Sequence, residues 1–492
     1  MNVENAIEIC GFGYMQIFIF LVTSIAYTYL GCYLSAINFF QKSIPFICAD
    51  NITANIQNIN YTSKCVEGCS KYIYKSYDNS IYSAMDLGCS PRSIVISINQ
   101  GIFYVGLAVC APLYSHLQEK LGRKPVVIIS CILMSLTLLI PIASPNIYAV
   151  MAMRLLTGAA LLLFEMSVYL LGMEVIPRRY RSFISLFYLA CNGLGSIIIS
   201  PISYLFEYSW KVQIIAIAIP PQLIALIYLL FIEESPRWLV YKERMPEAIA
   251  ILNTYKKKNS NISFSGLRSE SEKSTLSLIE TVVELFKGRA MTLLTFTCAI
   301  CWMNINLVYY GMFYDIGSLS GNIYIDGMIV PTAELFVPLN IIFMIRFGRK
   351  PVFIAVLIVT TIALVLLPIA KQISYPLEII DSFIGRFTAT SIYNIWFGYQ
   401  GEVLPTRLRN NGMSIFEAFG RIGSILAPFI LQLDKYDFAI PFLIYGAFNL
   451  LPIPLIILFA PETHNQPLPE KMTEILPINN KEAYPLMEDS KQ

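Results

Sequence analysis

The sequence predicts an all-α integral membrane protein of twelve transmembrane helices in two six-helix pseudo-repeats, and three observations predict it. Hydrophobic residues make up 56% of the 492 residues and charged residues 14%, with a mean hydropathy of +0.59, so most of the chain cannot face water. Apolar runs near the ~20 residues that a spanning helix needs occur twelve times. Finally, two phrases repeat in one order at nearly one offset. Gly122-Arg123-Lys124-Pro125-Val126 returns as Gly348-Arg349-Lys350-Pro351-Val352, 226 residues on (122 to 348). Glu174-Val175-Ile176-Pro177-Arg178-Arg179-Tyr180-Arg181 returns as Glu402-Val403-Leu404-Pro405-Thr406-Arg407-Leu408-Arg409, 228 residues on (174 to 402). Halves repeated in parallel belong to two-bundle architectures whose substrate site lies between the halves near the bilayer midplane.

In chain order, residues 1–10 carry Glu4 and Glu8 and lack the basic stretch and cleavage site of a secretory signal. The first helix, 12–36, is therefore expected to stay in the mature protein. A polar loop, 41–92, follows, holding Cys48, Cys65, Cys69 and Cys89 and the sequons at Asn51 and Asn60. Runs at 94–116, 126–143, 147–172, 183–206 and 212–232 complete an N-terminal bundle, 1–232. Residues 233–290 are polar and read as a short helical subdomain with a linker. The second bundle, 291–461, has runs at 291–313, 325–344, 352–370, 377–399, 412–433 and 438–460, and a polar tail, 462–492, closes the chain.

Lys and Arg concentrate in the loops after helices two, four, eight and ten: Lys120, Arg123 and Lys124; Arg178, Arg179 and Arg181; Arg346, Arg349 and Lys350; Arg407 and Arg409. The opposite loops offer only Lys211, Lys371 and Lys435. The excess of basic residues marks the cytoplasmic side, so both termini are expected there, in the plasma membrane. Loop 41–92 then lies outside, where Asn51 and Asn60 would be glycosylated and the four cysteines would pair, in one of three ways. Asn261, in the linker, would stay unmodified.

The net charge of +2 makes no concentrated basic face for nucleic acid. His116 and His464 are far apart, which argues against a histidine metal site. No GxxxxGK[ST] loop for ATP, nucleophile elbow or metal-ligand cluster occurs. Neither an enzyme nor a cofactor is expected; the expected partners are the lipid bilayer and a small solute driven by gradients or exchange.

Chemistry should reside in the ionisable groups inside the apolar runs, since a charge at a helix centre costs at least ~2.5 to 3.5 kcal/mol. These are Arg154, Glu165, Glu334, Asp381, Arg386, Glu417 and Arg421. Glu417 precedes Arg421 by four residues, the order that favours an ion pair on one helix face. The guanidinium of Arg421 is a planar fork of donors suited to a carboxylate. Glu165 could hold an ammonium or a proton. Thirty Phe and thirty Tyr supply aromatic walls that can also bind organic cations.

Several phrases, in order, resemble the organic cation, anion and zwitterion transporters (solute carrier family 22-like) of the major facilitator superfamily. They are the two Gly-Arg-Lys loops; Glu234-Ser235-Pro236-Arg237-Trp238-Leu239; Tyr309-Tyr310-Gly311 through Ser320-Gly321-Asn322-Ile323-Tyr324; Glu402-Val403-Leu404-Pro405-Thr406; and Ala460-Pro461-Glu462-Thr463. The first loop departs from the family pattern at Ser115, where Gly is usual, and at Glu119-Lys120, where Asp-Arg is usual; in the second copy Ile345 replaces the acid. The resemblance implies the major facilitator fold and secondary transport by alternating access. It makes Glu119, Arg123 and Arg349 a latch between cytosolic ends. Arg154 and Arg386 become structural residues paired with Glu174, Glu402 or Asp381, and Glu334 a packing or gating residue of helix eight. Arg421 stands where cation carriers tend to have Asp, and anion and carnitine-like zwitterion carriers Arg. Glu165, Tyr169, Trp302, Tyr309 and Tyr310 fall on pocket positions. The expected function is organic anion or zwitterion transport; the alternatives are a cation carrier using Glu165 or Glu417, and a membrane receptor that does not transport.

Overall fold

The computed structural model describes residues 3–42, 44–51, 69, 71–87, 89, 93–143, 146–255, 278–314, 322–405 and 408–463. Apart from an antiparallel pair of short strands, Phe46–Cys48 with Tyr72–Tyr74, the secondary structure is helical. The first bundle has span one at Tyr14–Phe40, span three at Arg123–Ala143, span four at Ile147–Val175, span five at Arg178–Leu205 and span six at Trp210–Phe231. Span two is broken, Ile94–Cys110 running into Tyr114–Leu121 at 55°. In the second bundle, spans seven, nine and eleven are Arg289–Tyr314, Arg349–Ile373 and Arg409–Leu431. Span eight, Ile323–Phe347, passes through a 3₁₀ stretch at Val330–Leu339, where Pro331 and Pro338 each remove a helical donor. Span twelve is Ala439–Phe459. Span ten, Tyr375–Val403, is 29 residues long but carries Glu378, Asp381, Arg386 and Glu402, so hydropathy alone does not mark it as membrane-crossing. Its Glu378 and Arg386 are buried, which only packing among other helices permits.

Each repeated Gly-Arg-Lys phrase closes its own half. Gly122 and Gly348 end the preceding helix at φ of +98° and +87°, a region glycine enters without steric cost. The next two amides are the unpaired donors of a helix start, and one carboxylate takes both. Glu234 accepts from Arg123 N at 3.0 Å and Lys124 N at 3.2 Å; Glu462 accepts from Arg349 N at 3.1 Å and Lys350 N at 3.0 Å. The lysines cap the opposite kind of end: Lys124 Nζ donates to Leu229 O at 3.2 Å and Lys350 Nζ to Ile457 O at 3.0 Å. Arg123 grips Glu174 through two bonds of 3.1 and 2.8 Å, and Arg349 contacts Glu402. Both arginines therefore bind within their own bundle and do not bridge the two, contrary to the expected latch. Glu119, also expected there, exposes its side chain; its backbone oxygen accepts from Trp238 Nε1 at 3.0 Å.

The halves meet instead at the end of the bundle that carries the cysteine loop. Ser97 Oγ donates to Pro428 O at 2.9 Å, Asn38 Nδ2 to Phe313 O at 3.1 Å, and Ser200 Oγ to Tyr324 O at 2.6 Å. Lys42 joins Tyr324 OH at 2.8 Å and Glu207 at 3.0 Å. In the loop itself Cys48 is bonded to Cys69, and Cys89 is also disulfide-bonded. Asn51 ends the turn Ala49–Asn51. Asn60, Cys65, Asn261, Arg407 and the tail from 464 lie outside the described residues.

At the other end, sequence reading did not anticipate the helix Val3–Cys10. Its Glu4 meets Arg178 at 2.8 Å and Arg181 at 2.7 Å and also touches Arg237, while Glu8 accepts from Arg178 N at 2.6 Å. An eight-residue segment has too little intrinsic helicity to declare itself.

Candidate functional site

The site is built on spans seven and eleven, which approach closely because their contact lacks side chains. A Cβ at Gly423 would lie 1.9 Å from Met303 O, and one at Gly420 would lie 2.3 Å from the Trp302 ring. The glycine gap admits the indole, and Trp302 Nε1 donates to Glu417 Oε2 at 2.9 Å. The other oxygen of Glu417 takes Arg421 Nη2, the i,i+4 pair that the sequence suggested. Arg421 Nη1 donates to Tyr310 OH at 3.0 Å. Arg421 is 3% exposed and Glu417 7%, and among the described residues Arg421 Nε has no acceptor.

Glu165 faces this pair from span four in the other half. It is attracted by Arg421 and repelled by Glu417, and it keeps part of its surface open. The local sum is two carboxylates against one guanidinium. Aromatic rings surround it: Trp302 and Tyr393 have centroids 4.6 Å apart, Tyr309 and Tyr393 4.9 Å, Tyr309 and Tyr310 5.0 Å, and Tyr104 and Tyr310 4.6 Å. Tyr169, one turn beyond Glu165, shares a hydrogen bond of 3.1 Å with Ser185 and lies in the electrostatic field of Tyr27, so it belongs to the span-five wall.

Tyr393 and Tyr104 were missed by sequence reading. Tyr393 follows Arg386 by two helical turns, hence on the same face, and that spacing could have found it. Nothing in the local sequence distinguishes Tyr104 from the other aromatics of its helix.

A second buried pair lies beside the first. Arg386, 1% exposed, binds Glu334, 2% exposed, through Nε at 3.1 Å and through Nη2. Its other donors reach Tyr309 O and Tyr309 OH, each at 3.3 Å. The partner is thus Glu334 of the 3₁₀ stretch, which packs on span ten, and not Glu174, Glu402 or Asp381. Glu174 and Glu402 are held by Arg123 and Arg349 as described. Arg154 also departs from expectation. Among the described residues it has no carboxylate partner, and its guanidinium lies over the Phe103 ring at 4.5 Å.

A buried site of mixed charge, walled by aromatics and shared between two repeated bundles, is a place for a small charged solute. The family model described as sugar (and other) transporter matches residues 15–475. The chain belongs to that family. Within the family it is a solute carrier family 22-like transporter of the major facilitator superfamily, and not an enzyme. It is similar to the organic cation transporter protein of Drosophila melanogaster, 26% identical over 86% of this chain and 81% of that one. It resembles organic cation/carnitine transporter 2 of Mus musculus, 24% identical over 84% and 74%, and organic anion transporter 3 of Oryctolagus cuniculus, 25% identical over 88% and 81%. The inward open conformation of the xylose transporter XylE from E. coli superposes with a TM-score of 0.65 at 16% identity, covering 92% of this chain and 98% of that one. That likeness carries the major facilitator fold.

Proposed function

We propose that this family member carries small organic zwitterions, an ammonium joined to a carboxylate, across the plasma membrane by alternating access, with both termini in the cytosol. The observation that carries this reading is the mixed-sign group of Arg421, Glu417 and Glu165 under the rings of Trp302, Tyr309, Tyr310 and Tyr393. A substrate carboxylate takes the unpaired Nε–H of Arg421 and competes with Glu417 for the rest of the fork. The ammonium then lies toward Glu165 and the aromatic faces, which attract cations. Neither a plain anion nor a plain cation satisfies both signs, and leaving a buried charge unpaired is costly. The likeness to carriers named for carnitine, cations and anions supports an organic ion as cargo.

In this reading bundles 1–232 and 291–461 are the rocking bodies, and 233–290 and 462–492 are cytosolic. Asn51 and Asn60 carry glycans on the outer loop. Arg123–Glu174 and Arg349–Glu402 stiffen the bundles, and Glu334–Arg386 positions Tyr309 at the pocket wall.

The net excess of one carboxylate favours a second reading, a carrier of organic cations in which Glu417 merely neutralises Arg421. Counterflow in proteoliposomes with matched sets of labelled zwitterions, cations and anions tests the proposal. Exchange confined to the cation set would replace it with the second reading, and binding without any exchange would mark a receptor.

A further inference from the structure

Arg154 presents a charge problem that the candidate site does not solve. It sits two turns inside span four, 7% exposed, and a guanidinium cannot shed its proton in a protein. A buried charge is normally paired, yet the groups in its field are hydroxyls. Tyr33 OH is within hydrogen-bonding reach of the guanidinium, Tyr82, Tyr104 and Tyr314 feel it electrostatically, and none of these is a carboxylate. Phe103 covers one face, which leaves the in-plane donors. Among the described residues Arg154 Nε has no acceptor.

Arg154 also lines a small cavity, of about 20 Å³, together with Gln41, Thr157 and Ile81. Gln41 is itself 7% exposed. Its Oε1 accepts from Tyr82 OH at 2.7 Å, which commits that end of the amide, and its Nε2 is a buried donor with no acceptor among the described residues. The cavity wall is otherwise mostly apolar, with Phe40, Leu138, Val150 and Ile214, and Arg154 and Gln41 bring to it a fixed positive charge and an amide. The volume suits one ion or water and excludes a carbon skeleton. The short helix Ile81–Ala84 of the cysteine loop provides a wall through Ile81.

We infer that Arg154 and Gln41 hold a small monovalent inorganic anion, of the halide class, in this cavity, separate from the pocket at Arg421. A water molecule there would satisfy donors but leave the charge uncompensated, whereas a halide does both.

The test uses the purified full-length protein in sodium chloride against sodium gluconate at equal ionic strength, read as thermal stability. The wild type should gain a saturable upward shift on the order of 2 °C in chloride. Arg421→Gln should keep that shift. Gln41→Glu places a carboxylate on the wall of the same cavity, so it should show no chloride shift and should melt, in gluconate, at or above the chloride-saturated wild type. Bromide should give an anomalous-scattering peak in contact with Arg154. Equal wild-type stability in both salts would overturn the inference, as would a chloride shift that survives Gln41→Glu. A shift lost in Arg421→Gln, or bromide found only at Arg421, would overturn it as well by placing the ion in the transport pocket.

Discussion

Truncation of Arg421 is the most decisive perturbation because its burial and two of its partners are known. The side chain is 3% exposed, holds Glu417 and donates to Tyr310. Arg421→Ala leaves Glu417 buried with, among the described residues, the Trp302 indole as partner. Truncating one member of a buried hydrogen-bonded charge pair costs ~2 to 5 kcal/mol, equivalent to about 30-fold to several thousand-fold in affinity at 1.4 kcal/mol per decade. For a zwitterion this should appear as that loss of affinity, because the neighbouring guanidinium, Arg386, is already held by Glu334. For an organic cation lacking a carboxylate, the same change removes a like charge and should leave affinity equal or improved. The measurement is the inhibition constant of matched zwitterion, cation and anion sets against a labelled tracer, in proteoliposomes normalised to folded protein. Glu417→Gln is the companion: the indole keeps an acceptor, the guanidinium is freed, and anions should strengthen relative to zwitterions. If Arg421→Ala binds zwitterions with unaltered affinity, Arg421 is only the structural partner of Glu417 and the zwitterion reading fails.

Other expectations are simpler to score. Glycosidase should shift the mobility of the wild type but not of the Asn51→Gln/Asn60→Gln double variant; a remaining shift that disappears only with Asn261→Gln would reverse the orientation. Arg123→Ala breaks a half-buried bidentate pair with Glu174 far from Arg421, so maximal flux at matched expression should fall severalfold while the apparent affinity moves little; the opposite split would put Arg123 in the binding pathway. Gly122→Ala combines a φ of +98° with a Cβ 2.2 Å from Glu234 Oε2, so it should lower stability by ~2 kcal/mol or more. Gly288→Ala has a φ of +83° but open space around it and should cost only about 1 kcal/mol. Equal melting temperatures for the two glycine variants would show that the Glu234 clash is relieved without cost.

The fold was legible because its determinants are written along the chain. Apolar runs mark spans, and a repeat at one offset marks two bundles. Span ten escaped hydropathy because it carries charges, of which Glu378, Arg386 and Glu402 meet Lys371, Glu334 and Arg349, neighbours that hydropathy cannot see. The pair Glu417 and Arg421 was also legible, being set by the helical repeat. The pair Glu334 and Arg386 was not, because its register depends on a proline-induced 3₁₀ stretch in one span packing on another. Arg123 and Arg349 stood out in the sequence, but their partners Glu174 and Glu402 lie within the same bundle. The basic loops suggested a clasp between bundles, and only the three-dimensional arrangement distinguishes a clasp from a splint.

The carboxylates Glu234 and Glu462 follow the last span of each bundle and bind the first amides of its third span. In mechanical terms each bundle is a loop with its free end tied back, so a force applied at span six or twelve reaches span three or nine without passing through the intervening helices. The linker need not be taut for the first bundle to turn as one piece, and lengthening it should be tolerated. The second bundle depends on a knot made by Glu462, beyond its last span. Removing residues 462–492 would leave the first bundle tied and the second slack, dividing one symmetric machine into a stiff half and a loose one.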